Sequence, residues 1–122
     1  KYFFTNVKRH GALLAKGRML GIQFDTLFTD QLYFKVSRHA MTMATRLRSI
    51  FQKHGIAIAY DSPTNQQFVI LSPTLYDALS KKVAFEIWER KSDTEIICRF
   101  VTSWATKEEE LDELDHILQT LK

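Results

Sequence analysis

Apolar residues recur at spacings of three and four at Leu32, Val36, Ala40, Met43, Leu47, Ile50 and Phe51, which predicts an amphipathic helix over 31–54. Gly55 follows as its stop, and His54 beside it suits a helix C-terminus, where the dipole favours a cation. Residues 1–28 also read as helical but mostly apolar, with Gly11, Gly17 and Gly21 as weak points. Gly17 and Gly21 would share one helix face and admit a close backbone approach; the plainer alternative is a helix broken in two there.

After Gly55 the period changes. Ile56–Tyr60 reads as a short strand, DSPTN as a turn cluster and Gln67–Leu71 as a second strand. Ser72-Pro73 is a helix start with proline at the first helical position, leading into a short helix to about Lys82. Val83–Trp88 reads as a third strand, ERKSDTE as a polar loop and Ile96–Val101 as a fourth strand. Thr106 to Glu109 has the form of a capping box, and the last helix carries its stripe at Leu111, Leu114, Ile117/Leu118 and Leu121. The order α, α, β, β, α, β, β, α predicts an α+β fold. It consists of a small, largely antiparallel sheet of about four strands with helices on one face, preceded by a long N-terminal helical segment. Residues 1–30 would form an interdomain or dimer-surface segment and 31–122 the α+β domain.

Composition narrows the function classes. At 122 residues, 45% hydrophobic and 25% charged, the chain is of the size and kind of one ordinary globular domain. Lys16 and Arg18 interrupt the best apolar run, Gly11 to Phe24, so no membrane partner is expected. The opening Lys1-Tyr2-Phe3-Phe4 lacks Met and is unlike a signal peptide, which suggests a piece of a longer protein. Cys98, the single cysteine, allows no internal disulfide and fits the cytoplasm. Residues 1–54 hold ten of the 17 Lys and Arg but only two of the 14 acids. Lys35, Arg38, Arg46 and Lys53 lie among Thr and Ser on the polar side of helix 31–54, so a solvated face explains the charge better than nucleic acid does. The four histidines do not share a metal spacing, and no phosphate-binding glycine loop is present.

Three stretches are able to carry chemistry. Arg99 stands in the middle of strand 96–101, and a guanidinium keeps its charge, so it needs an anion. Alternation puts Ile97, Arg99 and Val101 on one face and Ile96, Cys98 and Phe100 on the other. An ion pair with Glu86, an arginine reaching the rim, or a fork for a ligand carboxylate would each satisfy it. In LLAKGRML, Lys16 and Arg18 flank Gly17, as two cations at a helix break or as contacts to a phosphate or carboxylate. In SPTNQQFVIL, Asn65 is either a turn residue or a hydrogen-bonding partner for a ligand.

Taken in order, GALLAKGRMLGIQF, DSPTNQQFVIL and CRFVTSWATKEEELDEL resemble the C-terminal part of threonine aldolases and related β-eliminating lyases, pyridoxal-phosphate enzymes of the aspartate-aminotransferase fold. The Thr-Asn-x-x-Phe-Val and Arg-Phe-Val-Thr strings are the most specific pieces, and the resemblance covers nearly the whole chain. It implies that Arg99 holds the substrate's α-carboxylate. It also implies that Arg18, with Lys16 beside it, reaches towards the cofactor phosphate of a neighbouring subunit, and that Asn65 is structural. The chain departs from the family at Ser103, where a histidine is frequent, and at Leu13-Leu14-Ala15, where a glycine run is.

In this family the Schiff-base lysine, the aromatic residue on the cofactor ring and the aspartate at its nitrogen all lie upstream. None of Lys1, Lys8 and Lys16 follows Ser or Thr as that lysine does. The resemblance therefore implies no catalytic residue in this chain, and no pyridoxal phosphate or metal on it alone. The parent would be a homo-dimer or tetramer with a large N-terminal domain, cleaving threonine to glycine and acetaldehyde. Another lyase or an aminotransferase of the same fold is the alternative. Outside the resemblance, a non-enzymatic α+β module docking an acidic partner or nucleic acid through its basic helix 31–54 remains open.

Overall fold

The computed structural model describes residues 1–121 and has an α+β fold. Five helices and three strands follow in the order α1 (Phe3–Arg9), α2 (Gly17–Phe28), α3 (Leu32–Lys53), β1 (Gln66–Leu71), α4 (Pro73–Leu79), β2 (Glu86–Arg90), β3 (Ile96–Val101) and α5 (Glu108–Thr120). The chain separates into two units, Lys1–Lys35 and Val36–Lys122.

In the first unit the apolar stretch is broken in two, but between α1 and α2 and not at Gly17 and Gly21, which both lie within the unbroken α2. The break centres on Gly11, whose φ of 67° is a left-handed value that glycine adopts freely. Gly17 opens α2, and a methyl group added at Gly17 or Gly21 would meet nothing outside its own helix within 4 Å, so among the described residues no other backbone approaches them. Asp30 and Gln31, at φ 50° and 59°, separate α2 from α3 through a 3-10 turn. None of the residues 1–35 is buried.

In the second unit an antiparallel sheet is ordered β1-β3-β2. Its core face carries Val69 and Leu71 of β1 with Ile96, Cys98 and Phe100 of β3. Against that face lie Met43, Leu47, Ile50 and Phe51 of α3, Leu79 of α4, and Leu111, Leu114 and Leu118 of α5. Each such side chain, fully buried, contributes about 1.5–3 kcal/mol. The stripe predicted on α3 is therefore correct from Ala40 onward, whereas Leu32 stays exposed.

Three local expectations shift. Ile56–Tyr60 is not a strand but a single bridge, Ile58 to Val69, because the bend at Ala59 and Tyr60 leads the chain away after two backbone hydrogen bonds. The sheet thus has three strands rather than about four. The strand expected at Val83–Trp88 pairs only from Glu86 to Arg90; Val83 and Phe85 instead turn onto the core. At the start of α5 the N-cap is Lys107, one residue later than expected. Lys107 has no side-chain acceptor, so only half a capping box forms: its backbone N–H donates to the Glu110 carboxylate at 2.9 Å. The Ser72 cap is as predicted, its hydroxyl accepting from the Leu75 N–H at 3.2 Å.

Candidate functional site

Strand register decides what surrounds Arg99. It occupies the central strand, with Phe68 of β1 directly across on one side and Glu86 of β2 on the other. Alternation turns it away from the helices, onto the face that also carries Gln66, Phe68 and Ile97. A β-bulge between Ile87 and Glu89 gives β2 an extra residue, Trp88, and its indole lies 5.2 Å from the Phe68 ring and 5.4 Å from the guanidinium carbon. A bulge re-aims a side chain in this way, and a guanidinium on an indole gains cation–π attraction.

The partner of Arg99 within this chain is Glu86, whose carboxylate accepts from one terminal nitrogen. The other terminal nitrogen donates to the Gln66 side-chain oxygen at 3.2 Å, while the buried Nε–H has no acceptor among the described residues. The side chain of Arg99 is 27% exposed and that of Glu86 69%. The arginine is anchored by three neighbours, and the glutamate is held mainly by its tip. Tyr60 extends the aromatic row, 5.6 Å from Phe68, and its hydroxyl donates to Glu89 at 3.2 Å. Partial burial, then the nearby Glu89 carboxylate, raise the Tyr60 pKa above its ordinary value.

Lys16 and Arg18 belong to the first unit, Arg99 to the second. Lys16 is the N-cap of α2 and Arg18 lies in its first turn, which contains no acid. Both are exposed, and neither has a side-chain ion pair among the described residues. Two cations with the free N–H groups of a helix start make a donor set that fits a phosphate.

Asn65 acts structurally: its amide donates to the Thr102 carbonyl at 2.7 Å, and its own carbonyl accepts the Thr102 N–H at 3.0 Å. Thr102 in turn donates to the Ala40 carbonyl at 2.8 Å, fixing the end of β3 to α3. Ser103 is a turn residue, its N–H bonded to the Thr106 hydroxyl at 2.9 Å. Cys98 is fully buried, and burial pushes its thiol up to about 11, which suits a packing residue rather than a nucleophile.

Part of the basic face of α3, at Arg46, Arg48 and Lys53, is neutralised by acids that sequence spacing does not pair with it. Arg46 meets Glu108 at 3.3 Å and Asp112 at 2.5 Å, and Lys53 meets Asp115 at 2.6 Å. Arg48 pairs with Asp61 at 2.6 Å. These contacts weaken the reading of α3 as a docking helix for an acidic partner. Asp115 also bonds His54 Nε2 at 2.6 Å, and Lys53 and His54 together hold its carboxyl below the usual range. A groove of about 370 Å³ lies beside α5, lined by Lys82, Phe100, Thr102, Thr106 and Glu113 among others, but Arg99 does not line it.

Gln66 and Trp88 are the residues at this site that sequence reasoning misses. Glu86 is accessible from strand alternation alone; the other two depend on cross-strand register and on the bulge.

No protein-family model matches the chain, and a search of curated proteins gives no significant match. Among solved structures, a threonine aldolase of Leishmania major matches with a TM-score of 0.88 and 38% sequence identity over 94% of this chain. The match spans 34% of that protein's chain, so the present chain is about a third of its length. With the motifs, the α+β sheet and this match in agreement, the chain belongs to the threonine aldolase family and corresponds to its C-terminal domain.

Proposed function

We propose that the chain is part of a pyridoxal-phosphate-dependent lyase that cleaves β-hydroxy amino acids, threonine to glycine and acetaldehyde, and that Arg99 binds the substrate's α-carboxylate. The observation that carries this reading is the 38% identity to a threonine aldolase across nearly the whole chain. The setting of Arg99 supports it: a planar fork on the sheet face away from the helices, with one donor, Nε–H, lacking an acceptor among the described residues.

A guanidinium binds a carboxylate through two parallel hydrogen bonds, which fixes the acid's orientation as well as its position. Held at that end, the substrate keeps only rotation about its carboxyl–Cα bond, which narrows the directions in which the Cα–Cβ bond is presented. Trp88 and Gln66 keep the guanidinium plane fixed while this happens. Lys16 and Arg18 would hold the cofactor phosphate of a neighbouring subunit. The cofactor, when bound, supplies an electron sink for the carbanion left by cleavage.

On this reading residues 1–30 face the large domain and a second subunit. Their apolar side chains support that role, since Phe3, Phe4, Phe24 and Phe28 are all more than half exposed. The 122 residues alone lack the cofactor lysine and have no aldolase activity, so acetaldehyde from threonine with this chain alone would refute the proposal. In the full-length enzyme, Arg99→Gln should lower kcat/KM for threonine about 30- to 100-fold, the loss of a charged hydrogen-bonded contact of roughly 2–3 kcal/mol. Arg99→Lys keeps the charge without the fork and should recover only part of that loss. An unchanged kcat/KM in both would remove Arg99 from the site.

A further inference from the structure

We propose that Glu86 is an internal carboxylate that occupies the Arg99 guanidinium when no amino acid is bound and is displaced by the substrate's carboxylate, so that it sets substrate affinity. The inference rests on the reading of Arg99 as the carboxylate-binding residue.

Three observations carry it. First, Glu86 places on Arg99 the chemical group the substrate would place there: a carboxylate accepting from a terminal nitrogen. Second, the two partners are held very differently. Arg99 lies in the central strand, 27% exposed, with its guanidinium over Trp88 and bonded to Gln66. Glu86 lies on β2, an edge strand whose five residues are all exposed, and its own side chain is 69% exposed. Opening the pair therefore moves the glutamate into water and leaves the arginine aligned. Third, Arg99 does not depend on Glu86 for its orientation, because Trp88 and Gln66 supply it.

An ion pair with one partner in solvent is worth little, so Glu86 yields readily to a competitor. It still lowers the fraction of protein with a free fork, and apparent affinity falls by that fraction. For a pair of this exposure the expected penalty is roughly five-fold. Glu86 thus acts through Arg99, as a positioning residue that selects ligands able to outcompete a tethered carboxylate. Amines without a carboxylate gain nothing from displacing it.

The test uses the full-length enzyme with its cofactor, and glycine as the equilibrium ligand. Glu86→Gln should lower the glycine dissociation constant roughly five-fold, and the change with threonine should fall on KM rather than on kcat. In an Arg99→Gln background the same replacement should have no effect, which is the signature of coupling between the two side chains. If Glu86→Gln leaves glycine binding unchanged or weakens it while Arg99→Gln weakens it strongly, the proposal is wrong and the role of Arg99 stands. If Arg99→Gln itself leaves glycine binding unchanged, the underlying reading falls and this proposal with it.

Discussion

Two segments of this chain have the same kind of apolar helical pattern and opposite fates. In the unit from Val36 onward, Phe51 is 0% exposed and Phe100 5%, their rings 4.8 Å apart in the core. In the unit 1–35, Phe24, Phe28 and Phe34 remain more than half exposed. Their ring contacts are with one another and with Tyr33: Phe24 and Phe28 at 6.3 Å, Phe28 and Tyr33 at 5.4 Å, Tyr33 and Phe34 at 5.5 Å. Periodicity alone does not separate the two, since an apolar stripe states only that a helix has something to cover. What differs is the partner. The sheet supplies one for α3 and α5, whereas the first unit contains no sheet that could cover its own apolar side chains.

The sharpest way to break this comparison is to make the same replacement in both units. Phe51→Ala removes a fully buried ring and leaves a cavity, which should destabilise the chain by about 3–5 kcal/mol in urea titration. Phe28→Ala removes a ring that is 53% exposed and should lower stability by less than about 1 kcal/mol. Equal losses would mean that the first unit has a core of its own.

A smaller effect sharpens it further. Thr102 is buried and donates across the fold to the Ala40 carbonyl at 2.8 Å, whereas Thr29 is exposed and donates to the Asp25 carbonyl one turn earlier at 2.7 Å. Thr→Val keeps the shape and deletes the hydroxyl. Thr102→Val should lower stability by roughly 1–2 kcal/mol and Thr29→Val by no more than a few tenths. The two thermal midpoints give the comparison directly.

How much of this was legible in the sequence follows from the range of each signal. The α3 and α5 stripes, the Ser72 cap and strand β3 rest on local spacing, and each was readable. Pairing is not local. Ile56–Tyr60 has strand composition, yet only Ile58 finds a bridge, on Val69. Val83–Phe85 looks like strand because it is apolar, but its burial comes from turning onto the core. The same limit governs the site. Glu86 emerges as a partner for Arg99 from alternation on two strands, while Gln66 depends on register and Trp88 on a bulge that no spacing rule announces. The ion pairs between α3 and α5 were hidden for that reason too: the partners lie about sixty positions apart in the chain.

The smallest effect expected is electrostatic and concerns the clasp that those pairs form. Asp115 accepts from Lys53 Nζ and from His54 Nε2, each at 2.6 Å, and the Lys53 contact, then the His54 contact, hold its carboxyl below the ordinary range. These bonds favour the ionised form in the folded chain, so the unfolded chain binds the proton more readily. The contribution is therefore complete above the ordinary carboxylate pKa. It disappears as the pH falls through the lowered value. Asp115→Asn deletes the titrating group, and its loss of stability should be greatest near neutral pH and shrink progressively on acidification. Urea midpoints of both proteins between about pH 7 and pH 3 would show the two curves converging at the acid end. Parallel curves would mean that the clasp holds through packing of the His54 ring, whose side chain is only 6% exposed, and not through charge. In that case charge at Asp115 would contribute nothing to the stability of the second unit, and packing would carry the clasp.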